Sequence, residues 1–179
     1  MRIIAGSAKG RRLQAPPGLS TRPMTDRARE GLFSSLGTAV VGGQVVDLYA
    51  GSGSLGLEAL SRGASDAVFV ERDPKALRAL RHNVEAVGLG GKVVASDVSG
   101  FLASFEGVVD LAFVDPPYDL ALPSVAAVLA ALVEHLDAGG TVVVHRRRGG
   151  DAPSTAGLVL TDSRTYGDTE LFRLMKEDH

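Results

Sequence analysis

The chain has 179 residues, 45% of them hydrophobic and 22% charged, with a net charge of −2 and no cysteine; this is the composition of an ordinary globular domain with its own core. Without cysteine there is no disulfide, no thiolate nucleophile and no cysteine-ligated metal, and His82, His135, His145 and His179 show no ligand spacing, so no metal is expected. No apolar run is long enough to cross a bilayer, the first residues lack a signal-peptide core, and no apolar heptad is visible, so the expectation is a cytoplasmic monomer without a membrane partner.

Charge is unevenly distributed. Residues 1–30 carry seven basic side chains (Arg2, Lys9, Arg11, Arg12, Arg22, Arg27, Arg29) against Asp26 and Glu30, a balance of +5 that leaves −7 for the remainder. A basic end on an acidic body points to a polyanion met by one face. Within it, the two strand-like runs of residues 3–13 read as a hairpin, and Thr25 caps a helix with Ala28, Leu32 and Leu36 on one face and Arg27 and Arg29 on the other. Gly42-Gly43 separates this extension, residues 1–42, from the main domain, residues 43–179.

From Val45 onward strands and helices alternate, the pattern of a parallel sheet with right-handed crossovers. Strands are expected at Val45–Leu48, Ala67–Val70, Lys92–Ala95, Val109–Val114 and Thr141–His145, with helices between them. One helix opens on Asp73-Pro74 and stops before Gly88; another runs from about Leu122 to Leu136. Leu158–Thr161 and Leu171–Met175 have no helix between them and read as a closing antiparallel hairpin. The expected fold is α/β and Rossmann-like: a mostly parallel seven-stranded sheet with a C-terminal antiparallel hairpin and a small N-terminal hairpin and helix.

Two stretches carry chemistry. Gly51-Ser52-Gly53-Ser54-Leu55-Gly56 follows a buried strand and opens a helix, with Glu71 at the end of the next strand. This fits a dinucleotide or an S-adenosylmethionine. Asp47, in the approach to the turn, suits an ammonium such as the methionyl amine, directly or through water. Glu71 suits the ribose hydroxyls of either cofactor. Asp97, ending the third strand, suits an adenine amine or the cap of the helix that starts at Val98. The second stretch, Asp115-Pro116-Pro117-Tyr118, ends the fourth strand. Its prolines hold an extended turn with its carbonyls unspent, so a carboxylate, a fixed carbonyl and an aromatic ring are offered to a planar ligand bearing an amino group. Arg146-Arg147-Arg148 reads as a solvated basic run or an extension of the N-terminal basic surface.

These motifs resemble those of class I S-adenosylmethionine-dependent methyltransferases acting on nucleobase amines. With Arg2-Ile3-Ile4-Ala5-Gly6, Lys9-Gly10-Arg11, residues 22–30 and residues 48–64, the chain resembles the RsmD family of 16S ribosomal RNA guanine-N2 methyltransferases. The resemblance implies S-adenosylmethionine bound by Asp47, Ala50, Gly51, Ser52, Gly53, Glu71, Asp97 and Val98, with Thr25 closing over it. It implies a flipped guanine held by Asp115, the Pro116 carbonyl and Tyr118, Pro117 stiffening the turn. The partner is then 16S rRNA in the small ribosomal subunit, its phosphates met by Lys9, Arg11, Arg12, Arg22, Arg27 and Arg29. The rival readings are amino-methylation of adenine or cytosine in DNA, a nicotinamide oxidoreductase, and an RNA-binding module with an inactive fold.

Overall fold

The computed structural model describes residues 1–18 and 24–177. Its elements are α1 (Asp26–Leu36), β1 (Gln44–Leu48), α2 (Ser54–Ser61), β2 (Asp66–Glu71), α3 (Pro74–Val87), β3 (Lys92–Ala95), α4 (Val98–Ser104), β4 (Val109–Val114), α5 (Leu122–Val133), β5 (Leu136–Arg147), β6 (Leu158–Tyr166) and β7 (Thr169–Lys176). The seven strands form one sheet in the order β3-β2-β1-β4-β5-β7-β6. β7 runs antiparallel to both β5 and β6, while the other pairs are parallel.

Local chemistry sets most boundaries. Thr25 and Asp73 cap α1 and α3 by accepting backbone N–H bonds, Pro74 opens α3, and Gly88 closes it in the left-handed conformation. α5 is shorter than its apolar pattern predicts, ending at Val133. Leu136 already pairs with Val109, and the Val109 N–H donates to the His135 carbonyl at 2.8 Å. Gly139-Gly140, expected to precede β5, instead forms a bulge inside it, between the Val109–Leu136 and Leu111–Thr141 pairs.

Each face of the sheet is covered. Phe33, Leu57, Leu80 and Phe113 share one core with Ile3 and Leu13 of the N-terminal segment; Phe101, Leu129, Leu132 and Val144 fill the other. Burial of this apolar surface, at about 25 cal/mol per Å², is the main favourable term. Residues before and after position 42 therefore pack in the same core. Arg2 and Arg12 bridge antiparallel in the expected hairpin, and the segment is fastened to α2 by fully buried Glu58. The Glu58 carboxylate accepts from the N–H of Ile4 at 2.8 Å and of Ala5 at 3.0 Å, and from Arg62 Nε at 2.7 Å. Ser61 adds bonds to Ala5 and Ala8.

Candidate active site

In the strand order, β1 lies between β2 and β4, so the chain's path reverses between β1 and β4. A crevice opens there, outside the carboxyl ends of the strands, where open α/β sheets bind ligands. It encloses about 980 Å³, near the top of the range of about 300–1,000 Å³ for small-molecule sites. One lip is built by the glycine turn and the ends of β2 and β3, the other by the loop after β4.

On the first lip, Ala50, Gly51, Ser52, Glu71, Asp97 and Val98 all line the crevice. Glu71 Oε2 accepts from the Gly51 N–H at 2.9 Å, and Oε1 accepts from the N–H groups of Arg72 and Asp73, each at 2.8 Å. Asp97 is both wall and cap, its Oδ1 accepting from the Gly100 N–H at 2.8 Å. Tyr49, just before the turn, also lines the crevice. It has φ 62°, a non-glycine residue in the left-handed region; such backbone strain costs about 1–3 kcal/mol and clusters at functional sites. Burial pushes its phenol pKa up.

Three residues expected on this lip stand elsewhere. Asp47 lies behind the wall, 1% exposed, with Oδ2 accepting from the Gly56 N–H at 2.9 Å. Burial raises its pKa well above the usual carboxylate range, against that hydrogen bond, with Asp115 and Glu71 adding repulsion. Its carboxylate steadies the start of α2 from beneath and does not face the crevice. Gly53 turns inward with φ 81°, and a Cβ there would press on Leu80, as one at Gly56 would on the Phe69 ring. Gly53 thus lets the turn pack closely on α3, and Gly56 lets α2 pack closely on β2. Thr25 spends its hydroxyl on the Ala28 N–H at 3.2 Å, and neighbouring Met24 takes the wall position with Met1 and Pro16.

The second lip is Asp115–Leu120. One residue past the Val114–Val144 pair, Asp115 meets His145, whose Nδ1 lies 2.6 Å from Oδ1. His145 is 3% exposed, while the Asp115 side chain is 32% exposed. The Pro117 carbonyl accepts from the Leu120 N–H at 3.0 Å and from Arg146 Nη1 at 3.3 Å; the Leu120 carbonyl accepts from Arg146 Nη2 at 2.8 Å. The Arg147 guanidinium covers the Tyr118 ring at 5.3 Å. Burial raises the Tyr118 pKa, with Asp115 adding to it. Among the described residues, Asp115 Oδ2 and the Pro116 carbonyl are left without a donor, as are the carbonyls of Asp115, Tyr118 and Asp119.

The sequence reading missed His145, Arg146 and Arg147 as supports of this loop. It also missed Asn83, fully buried on α3, which bonds Gln14 through both amide atoms and donates to the Ser52 carbonyl at 2.9 Å, tying the N-terminal segment to the glycine turn. Of the expected phosphate-binding residues, Lys9, Arg11, Arg12 and Arg27 are exposed, and Arg22 lies outside the described residues. Arg29 is a correction. It is fully buried, donating to the Arg2 carbonyl and to Asp26 at 3.0 Å, and burial lowers its pKa. It braces α1 against the hairpin and cannot reach a phosphate.

Among the described residues, the charged side chains lining the crevice are Glu71, Asp73, Asp97, Asp115 and Asp119 on the acidic side and Arg72 on the basic side. With Glu71 already taking the Gly51 N–H, this wall repels a pyrophosphate. It suits a ligand bearing a sulfonium, an ammonium and ribose hydroxyls. Fold and crevice together define a Rossmann-like methyltransferase of the S-adenosylmethionine-dependent class. The chain belongs to the family described as conserved hypothetical protein 95, the RsmD family, whose model matches residues 1–175. It is 38% identical to the Bacillus subtilis protein YlbH, named as a candidate rRNA methyltransferase, over 94% of this chain and 95% of that one. It is 43% identical to ribosomal RNA small subunit methyltransferase D of Escherichia coli, over 66% of this chain and 60% of the relative. Among solved structures, the E. coli protein yhhF, described as a candidate methyltransferase, superposes with a TM-score of 0.87 at 34% identity, covering 99% of this chain and 98% of that one.

Among the described residues no helix is long and apolar enough to cross a membrane.

Proposed function

We propose that this chain methylates the exocyclic N2 amine of a guanine in 16S rRNA of the small ribosomal subunit, a substrate that places it in the cytoplasm. The observation that carries the reading is the Asp115-Pro116-Pro117-Tyr118 lip of the crevice, where Asp115 Oδ1 is held by His145 and the Pro117 carbonyl by Arg146 and Leu120, while Asp115 Oδ2 and the Pro116 carbonyl meet no donor among the described residues. The names of the relatives support an rRNA substrate.

S-adenosylmethionine, when bound, supplies a methyl group activated on a sulfonium. Ala50, Gly51, Ser52 and Val98 would form its wall, Glu71 would take its ribose hydroxyls and Asp97 its adenine amine. The substrate amine is a poor nucleophile because its lone pair is delocalised into the ring. Asp115 Oδ2 and the Pro116 carbonyl would each accept one of its hydrogens, turning the nitrogen lone pair out of the ring plane. Tyr118 would stack on the base with the ring face that Arg147 does not cover. Positioning of this kind supplies about 7–11 kcal/mol of a barrier.

The test is transfer of labelled methyl groups to small ribosomal subunits, to deproteinised 16S RNA and to duplex DNA, all lacking the modification. The expected product is N2-methylguanine in ribosomal RNA alone. Asp115→Ala should lower turnover about 100- to 1,000-fold, as loss of a preorganised polar contact at a reacting centre does, with cofactor affinity unchanged. Labelling of DNA alone overturns the substrate. Lys9, Arg11, Arg12 and Arg27 would meet RNA phosphates. Neutralising Lys9, Arg11 and Arg12 together should flatten the slope of log affinity against log salt by about 2, at about 0.7–0.9 per lost phosphate contact; an unchanged slope removes the hairpin from the interface.

A further inference from the structure

Three consecutive residues at the end of β5 each hold a different part of the Asp115–Leu120 loop. His145 meets the carboxylate, Arg146 the Pro117 and Leu120 carbonyls, and Arg147 the tyrosine ring. His145 is the most demanding of the three to keep. It follows the apolar run Val142-Val143-Val144, pairs across β5 and β7 with buried Leu171, and is itself 3% exposed. An imidazole buried there costs free energy unless its nitrogens are bonded, and a valine would continue the strand without that cost. Both nitrogens of His145 turn to the substrate loop: Nδ1 to Asp115 Oδ1 at 2.6 Å, Nε2 to the Tyr118 hydroxyl at 3.5 Å.

Hydrogen-bond chemistry orders this chain. An ionised carboxylate only accepts, so Nδ1 carries the hydrogen; in the neutral ring Nε2 is then the acceptor that faces the Tyr118 hydroxyl. The rings of Tyr118 and His145 also meet edge to face, with centroids 5.7 Å apart. One imidazole thus fixes the two side chains assigned to the base.

We infer that His145 is a positioning residue for amine methylation: its Nδ1–H holds Asp115 by Oδ1, stops the carboxylate from turning, and leaves Oδ2 alone to face the substrate. A carboxylate with both oxygens free takes two adjacent donors from a base edge. Held by His145 it takes one, and the second hydrogen of the amine falls to the Pro116 carbonyl. The site then reads an amino group by two acceptors from two different residues, which is the arrangement that turns the amine. This inference rests on the role given to Asp115 above.

The experiment compares His145→Phe and His145→Asn in the full chain, with small ribosomal subunits lacking the modification as substrate and calorimetry for S-adenosylmethionine binding. His145→Phe should lower kcat about 10- to 100-fold, the scale of a misplacement of about 1 Å in a positioned group, with cofactor affinity and RNA KM unchanged. His145→Asn sets an amide N–H where Nδ1 was and should recover most of that loss. In an Asp115→Ala background His145→Phe should cost far less than it does alone, because its bond to Asp115 is already gone and only the contact with the Tyr118 hydroxyl is left to lose. If His145→Phe does not fold, His145→Gln, whose amide reaches past Oδ1, replaces it in the same comparison. Wild-type turnover in His145→Phe, loss of cofactor affinity in step with turnover, or His145→Asn as slow as His145→Phe each overturns the proposal. If Asp115→Ala is slow and His145→Phe is fast, His145 alone is wrongly assigned; if Asp115→Ala is fast, the reading of the site falls with it.

Discussion

The two lips of the crevice are built on opposite plans. The glycine-turn lip is held by near neighbours in sequence and in the sheet: Glu71 takes the Gly51 N–H across one strand pair, Asp97 caps the helix it precedes, and Asp47 reaches nine residues to Gly56. The Asp115 lip is held almost wholly by β5, about thirty residues further on, through His145, Arg146 and Arg147. The first lip satisfies its own polar groups and offers a fixed acidic wall. The second spends part of its polar groups on a scaffold and leaves other acceptors open, Asp115 Oδ2 and the Pro116 carbonyl among them. A site that must bind one ligand firmly and act on a large one divided in this way keeps the reacting groups rigid without closing them off.

Substitutions at four positions test that division. The largest effect is expected at Glu71, where Glu71→Ala removes the acceptor proposed for the ribose and frees three backbone N–H groups. Two charge-assisted hydrogen bonds at about 1.5–3 kcal/mol each put the loss of S-adenosylmethionine affinity at about 100-fold or more, read by calorimetry, with RNA affinity kept. Undiminished cofactor binding would erase the distinction between the lips. Next comes Tyr118→Ala, which should raise the RNA KM about 10-fold, within the 1–3 kcal/mol of a base–aromatic stack, and leave cofactor affinity alone; Tyr118→Phe should keep most of the stacking. Arg146→Ala frees the Pro117 and Leu120 carbonyls and should slow turnover about fivefold, the worth of about 1 kcal/mol, without moving cofactor affinity.

The smallest effect concerns Asp47. Its folded-state pKa is raised by burial, so the folded chain holds a proton there that the unfolded chain has released. Its contribution to stability is therefore greatest below the ordinary carboxylate pKa and falls as pH rises toward the folded value. Asp47→Asn keeps an acceptor for the Gly56 N–H and does not titrate. Urea melts should show the variant gaining on the parent chain as pH rises from about 4, the region of an ordinary Asp pKa. A constant difference across that range would place the Asp47 charge in contact with solvent.

The same contrast explains what was legible in the sequence. Caps, the glycine turn and strand ends follow from residues a few positions apart, and Thr25, Asp73-Pro74, Gly88 and Asp97 stand where their chemistry predicts. The supports of the Asp115 loop arise from the β4–β5 register, which no local pattern states. His145 looked unremarkable because only metal-ligand spacing was sought; its signal was a polar residue at the end of an apolar strand. Asp47 was misread because a carboxylate before a glycine turn can point into the crevice or beneath it. Arg29 did carry a local signal, since positions 29, 32, 33 and 36 form one helical stripe and all four are buried. The basic character of the segment outweighed that spacing.

Glu58 and Asn83 have a consequence for how the protein comes into being. Residues 1–14 are synthesised before α2 and α3, yet their anchors lie 53 to 69 residues downstream. The hairpin cannot dock until α2 and α3 exist, so a segment made before its anchors is placed after them. Exposed cations at its tip are arrayed, and Met1 and Pro16 complete the crevice wall, only once that docking occurs. A half-made chain therefore carries the charges of this basic surface without its shape.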